Sequence, residues 1–172
     1  GGSDPETDYL FLNSTDALTD DDSAWNDTAP TSTVFSVGTS WSSNKSGEDN
    51  VAYCWANVEN YCKVGTYVGN GSTNGTFVYT GFRPAYVLAK RISGTSSWYL
   101  YDTTRTRTNE NINSIYPNGD YDEGDNVAYA VDLLSNGFKW RNSTSDSGMN
   151  HSGGDFIYLA FAEFPFKYAN AR

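Results

Sequence analysis

One segment of this chain occurs twice, and the duplication constrains the fold more than any other feature. Residues 44–56 return as residues 150–162 at a constant offset, with Asn, Ser, Gly, Asp and the final Ala identical in both copies. Each copy reads as a polar turn followed by an apolar strand, which predicts related β-strands at 51–58 and 156–164. Such a duplicated unit is typical of related sheet edges or related sheets, not of an active site.

Short apolar runs separated by turn residues continue along the rest of the chain. Further strands are predicted at 9–12, 33–37, 76–79, 85–91, 97–102, 126–134 and 138–141. The Asn136-Gly137 pair predicts a tight hairpin turn between the last two of these. About nine or ten short strands, with no run of helix formers, predict an all-β fold: an antiparallel β-sandwich of jelly-roll or lectin-like type.

The two predicted repeat strands carry large side chains on one face and mostly small ones on the other. The small faces are Ala52, Cys54 and Ala56 in the first copy, and Ala160 and Ala162 with Tyr158 in the second. A small face allows close approach of another backbone. That backbone belongs either to the same sandwich or to a neighbouring subunit, and the second case predicts a homo-oligomer.

Length and charge narrow the class of protein. A chain of 172 residues predicts a single domain, here residues 9–172, preceded by a flexible segment or expression remnant at 1–8. The net charge of -10 leaves no basic face for phosphates, so we predict no nucleic-acid partner. No apolar run approaches the roughly 18 residues that a membrane span needs, so we predict no membrane insertion.

Two small groups of residues are candidates for structural chemistry. Cys54 and Cys62 could form a disulfide or remain two buried thiols. Asp120, Asp122 and Asp125 surround Gly124 and could supply oxygen ligands to calcium, although a solvated acidic loop explains them as well. No other cofactor is predicted.

Aromatic side chains in polar surroundings are the best candidates for ligand binding. The predicted binding residues are Trp41, Tyr116, Tyr121 and Trp98. Such rings combine apolar area with a polar group, so they can stack on a sugar ring. The alternative is ordinary packing between strands. Trp55, within the predicted first repeat strand, is expected to be less exposed than Trp41, Tyr116 and Tyr121.

Four stretches together resemble a known family. They are residues 26–35, the turn at 69–72, the block at 79–91 and the ending at 160–172. As a set they resemble an uncharacterised β-rich domain of marine phage and prophage structural proteins, often found near tail-fibre segments. The resemblance covers nearly the whole chain from about Leu10 and implies a virion-associated, extracellular module. It implies no enzymatic activity and no catalytic residue.

The residues themselves supply no catalytic constellation. His151 is the only histidine, and the candidate carboxylates for glycoside hydrolysis, Asp49, Asp155 and Glu163, carry no further sign of that chemistry. We therefore expect a non-enzymatic tail-fibre or surface-appendage module that binds a host glycan or protein and contacts other virion subunits. The alternatives are a capsid or filament decoration protein without a ligand, and a secreted carbohydrate-active enzyme.

Overall fold

The computed structural model describes residues 4–141 and 148–164, and within them it contains eleven short strands. The strands are β1 (Asp8–Tyr9), β2 (Thr19–Asp20), β3 (Cys62–Val68), β4 (Phe77–Tyr79), β5 (Pro84–Arg91), β6 (Trp98–Asp102), β7 (Asn113–Ser114), β8 (Gly124–Asp125), β9 (Val131–Leu134), β10 (Gly137–Trp140) and β11 (Asp155–Ala162). The helical elements are α1 (Asp22–Trp25), α2 (Trp41–Asn44) and a 3-10 helix at Val127–Tyr129. None of these helices is long and apolar enough to cross a membrane.

Two antiparallel sheets form the body of the domain. One has four strands in the order β3-β11-β5-β6, and the other has three in the order β4-β10-β9. Their facing sides enclose the hydrophobic core, which is mostly aromatic. Rings cross between the sheets, with centroid separations of 6.0 Å for Tyr67 and Trp140 and 5.3 Å for Phe138 and Tyr158. The predicted all-β, antiparallel, sandwich-like fold is confirmed.

Most predicted strands with clear turn signals are confirmed. β5 and β6 pair as an antiparallel hairpin across the turn at Gly94, and β9 and β10 pair across Ser135 and Asn136. β11 and β4 also form where they were predicted. The prediction for 126–134 is half right, because its first part is the 3-10 helix and only its second part is β9.

The strands predicted at 33–37 and 51–58 are wrong, and the one predicted at 9–12 is wrong beyond Tyr9, the last residue of β1. Residues 33–37 and 51–57 have no regular structure, and Val58 makes only an isolated bridge to Cys62. The small side chains Ala52, Cys54 and Ala56 are all exposed, so this face does not pack against the other sheet. In β11, by contrast, Ala160 is fully buried. Residues 142–147, within the predicted second turn, lie outside the described residues, as do 1–3 and 165–172.

The turn half of the repeat is nevertheless reproduced in three dimensions. Gly47 and Gly153 occupy equivalent positions and both have positive φ, 81° and 70°. In each copy the following amide donates to the carbonyl three residues earlier, Glu48 to Lys45 and Gly154 to His151. A positive φ at the third residue of a turn favours glycine, which explains this identity between the copies.

A strand that the sequence analysis missed, β3, takes the place beside β11. Gly65 lies within this strand, opposite Tyr158. A Cβ at Gly65 would come within 2.9 Å of the Tyr158 hydroxyl oxygen, so glycine makes room for that ring. A glycine inside a strand often marks such a close approach.

The free edge of β3 is closed by groups from the same chain. The side chain of Asn57 accepts a hydrogen bond from the Val64 amide at 2.7 Å. The Thr76 hydroxyl donates to the Val68 carbonyl, also at 2.7 Å. These contacts occupy edge positions that another strand would need, and they protect the sheet from edge-to-edge association.

A buried amine fastens the N-terminal part of the chain to the four-stranded sheet. Lys90 is fully buried, and its Nζ donates to the carbonyls of Thr15 at 3.2 Å and Ser96 at 2.6 Å. Burial lowers the pKa of Lys90 to about 8, while the charge of Asp16 acts in the opposite direction. Burial therefore makes the charged form of the Lys90 amine less stable than it would be in water.

The free energy of unfolding is expected to rise with pH through the Lys90 titration. Above about pH 8 the folded amine loses its proton, whereas the unfolded amine keeps it up to its ordinary pKa of 10.5. Higher pH therefore favours the folded state, by up to about 2 kcal/mol between about pH 8 and pH 9.5. Urea denaturation at several pH values measures this.

The Lys90→Met variant is the control for this prediction. Burial raises the pKa of the Cys62 thiol, which acts in the opposite sense over part of the same range. Because Cys62 is present in both proteins, the difference between their stability curves isolates Lys90. Parallel curves for the wild type and Lys90→Met would contradict the prediction.

Candidate functional site

The N-terminal third of the chain forms a concave surface that we call the aromatic groove, with a volume of about 690 Å³. Its aromatic side chains are Tyr9, Phe11, Trp25, Phe35 and Tyr53. The remaining lining residues are Pro5, Leu10, Ala24, Thr28, Pro30, Ser36, Val37, Ser42, Ser43, Asn44, Asn50, Val51, Ala52 and Cys54. Ligand pockets typically combine an apolar lining with a few polar groups, as this one does.

Short capped helices and a small ribbon position these rings. Asp21 caps α1 by accepting a hydrogen bond from the Ser23 amide, and hydrogen bonds from Ser23 lower the pKa of the Asp21 carboxyl. At the other end of α1, the indole of Trp25 donates to the Asp8 carbonyl of β1 at 3.0 Å. Trp25 is thereby held against the β1–β2 ribbon. Residues 4–8, predicted to be flexible, thus include a turn and the first residue of β1.

Close backbone contact joins α1 to α2 beneath the groove. The Gly38 amide donates to the Ala24 carbonyl at 3.0 Å, and the Ser43 hydroxyl donates to the same oxygen at 2.9 Å. A Cβ on Gly38 would lie 2.0 Å from the Ser23 carbonyl oxygen, so only glycine fits there. The floor of the groove is therefore fixed even though residues 28–37 and 50–54 are irregular.

Rings on the groove wall pair with one another and remain partly open to solvent. Tyr9 meets Phe11 edge to face with a centroid separation of 5.2 Å, and Trp25 meets Phe35 similarly at 6.4 Å. Tyr53 stacks on Trp55 at 6.3 Å, and 76% of its surface is exposed. Trp55 is 55% exposed, less than Trp41 at 77% and Tyr121 at 67%, as expected. The expectation is wrong for Tyr116, which is only partly exposed. The aromatic faces on the groove wall are available to a ligand.

The four predicted binding residues do not form one site. Trp41 begins α2 and is 77% exposed, next to the groove residue Ser42. Trp98 is buried, and its indole donates to the Phe11 carbonyl at 2.9 Å. Trp98 is therefore unavailable to a ligand and instead holds the N-terminal segment on the sheet. This prediction is wrong because a tryptophan in a strand faced a covered side of the sheet.

The other two predicted residues lie together at the acidic loop. Tyr116 and Tyr121 meet edge to face at 5.7 Å, and Tyr116 also contacts Tyr99 of the core at 5.0 Å. Tyr121 is the exposed member of the pair. Among the described residues no ring contact joins this pair to Trp41, so the acidic loop is a separate and smaller candidate surface.

An ion-pair network braces the same loop. Arg105 contacts Asp102 at 2.6 Å and Glu123 at 3.0 Å, and Asn113 donates to Glu123 as well. The hydrogen bonds from Asn113 and Arg105 lower the pKa of Glu123. Burial would raise the pKa of Asp102, but hydrogen bonds from Arg105 outweigh it and lower that pKa. The Glu123 carboxylate is thus already bound by Arg105 and Asn113.

Calcium binding stays a prediction. In the described parts of the chain no group of three or more His, Cys, Asp or Glu side chains could hold a metal ion. Asp120, Asp122 and Asp125 accordingly do not form such a group, although they are exposed in the acidic loop and in β8.

The predicted disulfide is absent, and the two cysteines lie in different surroundings. Both thiols are free, with Cys54 exposed and Cys62 buried. The alternative of two buried thiols is therefore also wrong for Cys54. The reason is that residues 51–57 do not enter a sheet, so Cys54 is left on the groove wall.

Two of the three candidate carboxylates for glycoside hydrolysis, Asp155 and Glu163, lie far apart. Asp155 begins β11 and Glu163 follows its end, so eight residues of strand separate them by about 26 Å. A glycosidase pair needs carboxylates within about 10 Å. Glu163 forms an ion pair with Arg83 at 2.9 Å. This pair cannot act together on one glycosidic bond.

Sequence reasoning missed most of the groove. Tyr9, Phe11, Phe35 and Tyr53 were assigned to strands, where alternate side chains are expected to pack into a sheet. The signal for the groove is weak, because its aromatic residues are spread over residues 9–53 and no spacing in the sequence shows that they come together.

Comparison with known proteins identifies the family of the chain. The family model described as Domain of unknown function (DUF7483) matches residues 3–165. No curated protein and no solved structure matches the chain. Because the family model covers well over half of the sequence, the chain belongs to the DUF7483 family of domains of unknown function.

Proposed function

We propose that this domain is a non-enzymatic recognition module that binds a glycan in the aromatic groove. The observation that carries the proposal is the groove itself: five aromatic side chains line one concavity together with serine, threonine and asparagine. Sugars present apolar C–H faces and hydroxyl groups, which match such rings and amides. The phage tail-fibre or surface-appendage setting of the proposal rests on the family resemblance of the sequence.

Tyr53→Ala tests the groove directly. Tyr53 is largely exposed, so its removal should leave the fold intact while deleting a stacking surface. Loss of one stacking ring is expected to weaken binding about tenfold, equivalent to about 1.4 kcal/mol. A glycan array selects the ligand, and calorimetric titration then compares the variants.

Two matched variants make the result specific. Tyr79→Ala removes a tyrosine that is 63% exposed on β4, outside the groove, and should bind like the wild type. Tyr121→Ala removes the exposed tyrosine of the acidic loop and should also bind normally. Weaker binding by Tyr121→Ala, with Tyr53→Ala unaffected, would move the site to the acidic loop.

The two cysteines provide an independent readout of groove occupancy. Cys54 lines the groove and is exposed, whereas Cys62 is buried and burial raises its thiol pKa. A thiol reagent should therefore modify Cys54 first. A bound glycan should slow modification of Cys54 and leave Cys62 unchanged; equal rates with and without glycan would oppose the proposal.

A second candidate function, assembly with other subunits, has one specific observation in its favour. Large apolar side chains are more than half exposed throughout one part of the chain: Val34, Trp41, Val51, Tyr53 and Trp55. Apolar patches of this kind mark association surfaces as well as ligand grooves. Sedimentation velocity decides: a stable oligomer that Trp41→Ser dissociates would favour assembly, and a monomer would favour the groove as a ligand site.

A further inference from the structure

We infer that the aromatic groove binds glycans without acidic groups and discriminates against anionic ones. This inference rests on the proposed glycan-binding function and deepens it by naming the class of ligand. It is carried by two independent features of the same surface, the uncharged lining of the groove and the carboxylates around it.

The lining offers no cationic partner to an acidic sugar. Among the described residues that form it, none is Lys, Arg, His, Asp or Glu. A uronate or sulfate entering the groove would lose water without gaining an ion pair, which is unfavourable. The hydroxyl groups of a neutral sugar can instead meet the uncharged side chains of Asn50 and Ser36.

Carboxylates flank the lining at several points along the chain. Each of five acidic residues is next in sequence to a lining residue, and we call them the rim carboxylates: Asp4, Glu6, Asp8, Asp27 and Asp49. Adjacent Cα atoms are about 3.8 Å apart, so these charges are near the groove. None of the five has an ion pair with another described residue.

The neighbouring basic residue does not offset this charge. Lys45 adjoins the lining residue Asn44, and its ammonium contacts the Glu48 carboxylate at 3.2 Å. The rim is therefore negative in total, and it repels an anionic ligand over about 10 Å at 0.1 M salt. The absence of cations in the lining and the negative charge of the rim both weaken the binding of an anionic ligand.

Matched oligosaccharides test the inference. A neutral oligosaccharide and a uronate-containing one of the same length are titrated into the intact domain at low and at high salt. The neutral ligand is expected to bind at least tenfold more tightly at low salt. The difference should narrow at high salt, because screening weakens the repulsion.

A pair of double variants locates the effect. Asp27→Asn with Asp49→Asn removes two rim carboxylates and should strengthen binding of the anionic ligand about threefold or more, with neutral binding unchanged. Asp120→Asn with Asp122→Asn removes the same charge from the acidic loop and should change anionic binding less. An equal gain in both double variants would contradict a role for the rim.

The outcomes separate this inference from the proposed function. Anionic binding as tight as neutral binding, still weakened by Tyr53→Ala, would overturn the charge selection and leave the groove as a glycan site. Failure of both ligands, and of every glycan on the array, would overturn the proposed function. Preferential neutral binding that Tyr53→Ala weakens about tenfold would support both.

Discussion

Asn150→Ala is expected to destabilise the domain by about 3 kcal/mol or more. Asn150 is fully buried. Its side-chain oxygen accepts hydrogen bonds from two backbone N–H groups, that of Asn70 at 3.0 Å and that of Thr76 at 3.5 Å. Its side-chain nitrogen donates to Asn70 Oδ1 at 2.9 Å and to the Ser72 carbonyl at 3.0 Å. One side chain thus satisfies four polar groups of the loop between β3 and β4.

Alanine would remove these four part-buried hydrogen bonds at once and leave a cavity where the buried side chain of Asn150 was. Urea denaturation gives the loss of stability, and amide hydrogen exchange should show faster opening of residues 69–76. A loss below about 1 kcal/mol would mean that the backbone contact of the Gly71 amide with the Asn150 carbonyl holds the loop instead.

Asn44→Ala is the natural control, because Asn44 is the equivalent residue in the first copy of the repeat. Asn44 is exposed, and its side-chain nitrogen donates to the Gly38 carbonyl at 2.8 Å. Its replacement should cost about 1 kcal/mol or less. A similar loss in both variants would contradict the different structural roles of the two copies.

Tyr67→Ala is expected to cost about 4 kcal/mol, because Tyr67 joins the two sheets. Its ring stacks on Phe156 with a centroid separation of 4.7 Å and an interplanar angle of 4°. It also contacts Phe138 and Trp140 of the opposite sheet at 6.2 Å and 6.0 Å. Truncation would leave a cavity that these rigid rings cannot close.

Tyr67→Phe separates the ring from the hydroxyl. The Tyr67 hydroxyl donates to the Met149 carbonyl at 2.8 Å, and its loss alone should cost about 1 kcal/mol. Thermal or urea denaturation of the two variants measures both quantities. Near-equal losses would show that the hydrogen bond, and not the ring packing between the sheets, is the larger contribution of Tyr67.

The predictable part of the fold is the part in which local signals and tertiary partners agree. Residues 84–91 and 98–102 are short continuous apolar runs with a glycine turn between them, and each strand is the other's neighbour. The same holds for β9 and β10 around Asn136. In such hairpins, the local sequence predicts both the strand and the neighbouring strand with which it pairs.

The candidate site was predicted less well, because its residues lie in segments that pair with no other strand. Tyr53 and Trp55 alternate with small residues as a buried strand does, but a strand exists only when another backbone pairs with it. Trp98 shows the opposite case, since its exposure depends on where residues 9–18 run across the sheet. Whether an aromatic ring is exposed depends on chain segments that are distant in sequence. The local sequence pattern around the ring does not predict where those segments lie.

The sequence by itself determined the β-class of the domain, its aromatic core composition, its strong negative charge and the glycine turn shared by the two repeat copies. These properties depend on residue type and on neighbours within a few positions. Only the tertiary structure decided that residues 156–162 become part of a central strand while 51–57 form no strand and 51–54 line a groove. The physical reason is hydrogen bonding: β11 has β3 and β5 on its two sides, whereas the edge of β3 is already closed by Asn57 and Thr76.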